Sequence, residues 1–372
     1  MGGSQVISSV RVRGFRSLAD FSWEEIPRVA VLIGANGSGK SNLLKFFEML
    51  SWMMKPRQLR EFIAFNGGAS DNLFGGERVT SRIEASIRLM TDDGVNDYEF
   101  VLAHSHPDRF FFMSERFRCS RLDTPGKAPW QMLGSGHEEV NIVDPANVAD
   151  AKTAREIAGL LKNCSVYQFH DTSDQSPVKK LWDRTDSVRL RRHGGNLAPI
   201  LLRMQQEDLR RYELICKFIS DVVPEFQSFV FEEDYPSVYL RWEHAHFDKP
   251  LGAHLTSDGS LRFFCLATLL NMPPERLPDI ILLDEPELGL HPVAIEKIAA
   301  MIKVLSNYKQ VIVATQSPTL VDCFSVDELL VLEMDRGRTT PRKFDADQFQ
   351  LWLDDGYSPG DLWLANLLGG RP

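Results

Sequence analysis

Gly34-Ala35-Asn36-Gly37-Ser38-Gly39-Lys40-Ser41 places three glycines ahead of a lysine and a hydroxyl, a spacing suited to holding a polyphosphate. A triphosphate needs many donors at close range. Glycines let backbone N–H groups turn inward around it, and a helix N-terminus adds favourable partial charge. Lys40 would reach the β- and γ-phosphates and the Ser41 hydroxyl would ligate Mg²⁺. The pattern predicts ATP or GTP binding, with Gly34, Asn36, Gly37, Ser38, Gly39, Lys40, Ser41 and Asn42 as nucleotide-binding residues.

A second set of candidates lies far downstream. Asp284 and Glu285 end the apolar run Ile280-Ile281-Leu282-Leu283, the arrangement that a Mg²⁺-dependent NTPase sets opposite its phosphate loop. Asp284 would hold the Mg²⁺ shell, and Glu285, pointing differently, would polarise the attacking water as general base. Gln316 follows the next apolar run, Val311 to Ala314, and is expected beside Glu285, where an amide can both donate and accept. Leu255-Thr256-Ser257-Asp258-Gly259-Ser260-Leu261-Arg262 precedes an apolar helical stretch, and by itself reads as a capped helix start.

The elements needed to position these residues are legible. Val29-Ala30-Val31-Leu32-Ile33 reads as a buried strand, and residues 42–50 carry helical spacing. Strand, loop and helix, then strand, helix and strand around the acids, predict an α/β fold with its active edge at the carboxyl ends of the strands. At 372 residues, one large or two unequal lobes are expected. The five cysteines are dispersed and lack a Cys-x-x-Cys, so neither a disulfide framework nor a zinc site is indicated. A net charge of −9 argues against broad adhesion to nucleic acid. No apolar run approaches the roughly 18–20 residues of a membrane span, and residues 1–18 carry arginines where a signal peptide is apolar, so a cytoplasmic protein is expected.

Taken in order, the phosphate loop, the Ser-Asp-Gly-Ser segment, the Leu-Leu-Asp-Glu-Pro strand and the polar residue after the next strand resemble the ABC-type ATPases. Val10-Arg11-Val12-Arg13-Gly14-Phe15-Arg16-Ser17-Leu18 and Glu285-Pro286-Glu287-Leu288-Gly289-Leu290-His291-Pro292 are similar to the RecF, SMC and OLD branch, particularly its stand-alone predicted AAA-family ATPases without a TOPRIM domain. The closing Tyr357-Ser358-Pro359-Gly360-Asp361-Leu362-Trp363 with Gly369-Gly370 resembles their tail. The resemblance implies an ABC-type P-loop head with an antiparallel β lobe and a mainly helical insertion. It further implies ATP and Mg²⁺ sandwiched between two copies of the chain, with Ser257 and Gly259 touching the γ-phosphate bound by the other copy. Arg13 and Arg16 are read either as lying near the nucleotide or as solvated arginines of a strand edge. Gln168 is read either as the glutamine that links Mg²⁺ to the inserted lobe or as a polar residue of a half-buried strand. Asp258 and Gln316 depart from the glycine and histidine of transporter ATPases.

The expected divisions are 1–115 and 236–340 for the head, 116–235 for the inserted helical lobe and 341–372 for a tail packing on the head. Residues 83–89 and 97–102 alternate like antiparallel strands, whereas 151–163 and 199–223 have helical spacing. No sustained heptad repeat occurs, so a long coiled-coil arm is not expected. The basic cluster Lys179, Lys180, Arg184, Arg189, Arg191, Arg192 and His193 around Trp182 offers either a nucleic-acid contact or a solvated face. His244 with His246, and His104 with His106, lack a third metal ligand at recognisable spacing. Glu333 and Asp345-Ala346-Asp347 mimic the acids of a TOPRIM nuclease, but too little chain surrounds them for that domain. The resulting expectation is a homodimeric switch ATPase that controls a separate effector, a nuclease or toxin, in DNA maintenance or anti-phage defence. An ATP-dependent scaffold with negligible hydrolysis and a transporter motor subunit are the alternatives.

Overall fold

The computed structural model describes residues 5–91, 94–122, 127–144, 146, 148–232 and 236–370. In chain order the strands are β1 (Val6–Phe15), β2 (Leu18–Trp23), β3 (Val29–Ile33), β4 (Arg82–Thr91), β5 (Gly94–Ser105), β6 (Arg109–Ser120), β7 (Gln131–Met132), β8 (Cys164–Tyr167) and β9 (Trp182–Asp183). They continue as β10 (Phe226–Phe229), β11 (Ser237–Val238), β12 (Arg241–His244), β13 (Leu251–Gly252), β14 (Ile280–Asp284), β15 (Gln310–Ala314), β16 (Leu329–Asp335) and β17 (Arg338–Lys343). The helices are α1 (Lys40–Met53), α2 (Gln58–Phe65), α3 (Ala151–Lys162), α4 (Leu197–Glu207), α5 (Leu209–Ser220), α6 (Asp258–Asn271), α7 (Pro292–Leu305), α8 (Pro318–Val321), α9 (Gln350–Asp354) and α10 (Pro359–Leu364).

Two six-stranded sheets organise the molecule. One runs β17-β16-β3-β15-β14-β8 and is parallel except for the edge pair β16 and β17. Its central strands are apolar in their interiors because both faces are covered. Val31, Leu283 and Val313 face one core with α6, α7 and the tail residue Trp363, whereas Leu32, Leu282 and Ile312 face a second with α1 and α3. The other sheet, β2-β1-β4-β5-β6-β7, is antiparallel and closes that second core with its alternating apolar face. Gln310, fully buried, stitches the two sheets: its side chain accepts from Ile7 N and donates to Ile7 O, each at 2.9 Å.

The segment 116–235 divides rather than forming one helical lobe. β6 carries the antiparallel sheet on to Ser120, and β8 is the edge strand of the parallel sheet, beside β14. The helical spacing over 199–223 is broken at Asp208, whose side chain accepts from Arg211 N and caps α5. A cap of this kind ends one helix and starts the next because it satisfies a backbone donor that the helix cannot. The tail packs on the head through α10 against α8, with Trp363 fully buried.

Candidate functional site

β3 is buried at every position and delivers the chain into the glycine loop that opens α1. Two of the loop glycines are required by their surroundings. A Cβ on Gly34 would lie 2.3 Å from Leu332 O, and one on Gly39 would lie 1.9 Å from Thr339 Oγ1; both residues have positive φ, 151° and 104°. The loop is thus pressed against the β16–β17 hairpin. Thr339 secures it through one continuous chain: Asn42 Nδ2 donates to Ser17 Oγ (2.7 Å), the Ser17 and Thr339 hydroxyls bond at 2.7 Å, and Thr339 Oγ1 donates to Ser38 O (3.0 Å). From the far end of the chain, a Cβ on Gly370 would sit 3.6 Å from Gly34 Cα. Lys40 Nζ donates to the carbonyls of Gly34 (2.6 Å) and Ala35 (3.1 Å), which hold the ammonium at the loop.

The acids arrive on β14, in register with β15 so that Asp284 lies beside Ala314, and with β8 so that Leu283 lies beside Tyr167. Gln168, next along β8, therefore reaches the acid: its Nε2 donates to Asp284 Oδ2 at 3.1 Å. His170, which the sequence did not single out, bonds through Nε2 to Asp284 O at 3.0 Å. Glu285 follows in the left-handed region, φ 44°, a strained conformation for a side-chain-bearing residue, with its N–H still bonded to Ala314 O (2.8 Å). Gln316 Nε2 donates to Glu285 Oε1 at 2.6 Å. Burial lowers the Lys40 pKa, and the nearby carboxylates of Glu285, Asp284 and Glu287 oppose that shift. Burial also raises the Asp284 carboxyl, helped by Glu285 and resisted by His170 and Lys40. Glu287 is raised mainly by burial. Three acids thus gather near Lys40, with Lys45 also acting on Asp284, and a bound cation would relieve their mutual repulsion.

The remaining candidates separate. Ser257 is the N-cap of α6, accepting from Ser260 N at 3.2 Å, and is exposed. Gly259 abuts the turn after Glu285, since a Cβ there would lie 2.7 Å from Gly289 O. Arg262 fastens the same helix start to its surroundings, donating to His170 O (3.1 Å), Leu288 O (3.1 Å) and Phe169 O (3.3 Å). Arg13 lies on the exposed face of β1, paired with Asp20 at 2.9 Å. Arg16 is half-buried, with φ 46°, and bonds Asn72 Oδ1 at 3.1 Å; it adjoins Ser17 and hence the start of α1. In the basic cluster Arg191 pairs with Asp186 (2.9 Å), Arg192 with Glu48 (2.6 Å), and Arg189 bonds Asn163 (3.2 Å).

The donor set fits Mg²⁺ and a triphosphate: a glycine cradle, a buried ammonium, the Ser41 hydroxyl, and the Asp284 carboxylate next to the Gln168 amide. Arg262, Thr339 and Ser17 escaped the sequence reading as site residues; Arg262 and Ser17 lie within quoted motifs, whereas Thr339 carries no local signal.

The family model described as "AAA domain, putative AbiEii toxin, Type IV TA system" matches residues 29–322. The DNA replication and repair protein RecF of Anaeromyxobacter sp. (strain K), and that of Anaeromyxobacter dehalogenans (strain 2CP-C), are each 34% identical over 96 residues, 23% of this chain. The chain spans only 25% of the length of these curated relatives. An SMC head bound to the C-winged helix domain of ScpA superposes with a TM-score of 0.58 at 15% identity, covering 93% of this chain and 99% of that one. The SMC head with an extended coiled coil, bound to the C-terminal domain of ScpA derived from Pyrococcus furiosus, gives 0.56 at 14% identity, covering 94% and 99%. The fold is that of an SMC head, and the family match extends over most of the sequence: this protein belongs to the AAA-domain family.

Proposed function

We propose that this protein is a Mg²⁺-dependent, ATP-hydrolysing switch that dimerises around ATP and controls a separate effector, a nuclease or toxin, in DNA maintenance or in defence against foreign DNA. The observation that carries the hydrolytic part is the 2.6 Å bond from Gln316 to Glu285, formed where β14 and β15 end, with Lys40 close enough to feel the Glu285 charge. Ser41, Asp284 and Gln168 would hold Mg²⁺, which would supply positive charge against the phosphates. Lys40 holds the β- and γ-phosphates. Glu285 accepts a proton from the attacking water, and the Gln316 amide keeps its carboxylate turned toward that water.

The sandwich reading is supported by exposure. Ser257 at the start of α6 and the apolar Leu288 both face solvent, as groups awaiting a second copy would. The arginines of the basic cluster that have defined partners are engaged within the chain, which favours a protein rather than a nucleic acid as the direct output. Among the described residues no helix is long and apolar enough to cross a membrane.

The test is complementation in trans. Lys40→Ala should abolish ATP binding or turnover while leaving the protein folded, and Ser257→Arg should bind ATP as wild type yet neither close nor hydrolyse. In a heterodimer of the two, one composite site carries both defects and the other neither, so mixing them should return part of the activity. A mixture as inactive as its components, with subunit exchange demonstrated, would remove the shared-site dimer.

A further inference from the structure

Glu287 belongs neither to the Mg²⁺ ligands nor to the base, yet it stands in the middle of this edge. Its Oε1 accepts from the Thr315 hydroxyl and from the Gln316 backbone N–H at 3.3 Å, while its Oε2 is buried and has no hydrogen-bond partner among the described residues. Thr315 is fully buried, and its Oγ1 also accepts from Ser317 N at 3.0 Å. One carboxylate oxygen therefore holds the Gln316 N–H directly and the Ser317 N–H through the Thr315 hydroxyl. The Gln316 side chain in turn reaches back to Glu285 at 2.6 Å. Glu285 accepts this bond through Oε1, so the contact bears directly on the direction of its carboxylate.

We propose that Glu287 is a positioning residue for hydrolysis: by fixing the Gln316 peptide it sets the orientation of the Glu285 carboxylate. An acid kept only to cap a strand end would have no such link to the base. The inference rests on Glu285 being the general base.

Turnover of a set of variants and one probe of the nucleotide-free protein test it. Glu287→Ala should lower kcat about 10- to 100-fold, the usual cost of losing a group that orients a reacting one, with the KM for ATP changed by less than about 3-fold. Glu287→Gln should recover to within about 3-fold of wild type, because its amide oxygen accepts the same two hydrogens. Combined with Gln316→Ala, Glu287→Ala should cost nothing beyond the larger single loss, since both act along one path. In the nucleotide-free protein, hydrogen exchange in peptides spanning 315–317 should quicken in Glu287→Ala. Should that variant fold poorly, Thr315→Val removes the hydroxyl that donates to Glu287 and accepts from Ser317 N–H, at constant shape, and should lower kcat in the same direction with KM for ATP unchanged. Multiplicative losses, a wild-type kcat in Glu287→Ala, unchanged exchange, or loss of ATP binding would each overturn the proposal. If Glu285→Gln is inactive while Glu287→Ala runs at the wild-type rate, this inference alone fails; if Glu285→Gln hydrolyses normally, the base assignment falls with it.

Discussion

The outer face of the antiparallel sheet and the carboxyl edge of the parallel sheet are both rich in charge, but they handle it in opposite ways. On the antiparallel face opposite signs meet across strands: Arg88 and Arg118 flank Asp97 at 2.7 and 2.8 Å, and Arg116 meets Glu99 at 2.6 Å. At the parallel edge Asp284, Glu285 and Glu287 crowd near Lys40, and the contacts they make are mainly with amides, hydroxyls and His170. Buried acids repeat the contrast. Glu115, fully buried in the antiparallel lobe, accepts from Tyr98 Oη (2.9 Å), Asn141 N (2.8 Å) and Ile142 N (3.2 Å), whereas Glu287 leaves one oxygen unpartnered. Charge balanced within the chain is structural; charge left in excess marks the place that a ligand completes.

The contrast can be broken most decisively at Glu285. Glu285→Gln should keep Mg²⁺-ATP bound while turnover falls about 10²–10⁴-fold, and the ATP-bound dimer should accumulate on sizing with light scattering. A variant that no longer binds ATP would mean that Glu285 is a binding or structural residue. In the other sheet the effect should fall on stability. Glu115→Ala orphans three donors and should destabilise by about 3 kcal/mol in urea unfolding, with the folded fraction hydrolysing ATP normally. A loss under about 1 kcal/mol would show that these donors find other partners.

Glu115 also gives the comparison a pH signature. Burial raises its carboxyl above the ordinary range, outweighing the hydrogen bonds that lower it. The folded state then holds its proton more tightly than the unfolded state does. This contribution to stability is full below the unfolded pKa and is lost as pH rises through the folded one. Glu115→Gln should remove that fall, so the wild-type advantage over the variant should shrink from acid toward neutral pH; a constant difference would contradict the assignment. The smallest effect is expected at the surface. Arg116→Ala, although it loses both Glu99 and the Trp130 ring 4.4 Å away, should cost about 1 kcal/mol or less, because exposed pairs are weak.

What the sequence revealed follows from how local each feature is. The loop from Gly34 to Ser41 and the acids at the end of β14 are contiguous, so residue type and spacing suffice to point at them. Gln168 was ambiguous because its meaning depends on β8 lying next to β14, a contact across 116 residues that no local pattern encodes. The basic cluster looked like a surface because Glu48, the partner of Arg192, is 144 residues away in sequence. Thr339 was invisible, since a threonine in a strand is ordinary and only its neighbours make it a clamp. Alternation did locate β4 and β5, whose apolar face closes a core, but not their full lengths.

The Thr339 clamp has a consequence for the order in which the protein becomes competent. Thr339 donates to Ser38 across 301 residues, and Gly370 leans on Gly34 from still further along. During synthesis the phosphate loop leaves the ribosome 301 residues ahead of the threonine that clamps it. Closing so long a loop also carries an entropic cost that local helix and hairpin formation does not. The nascent chain can therefore build its antiparallel lobe first, while the fully braced phosphate loop must wait for the hairpin that clamps it.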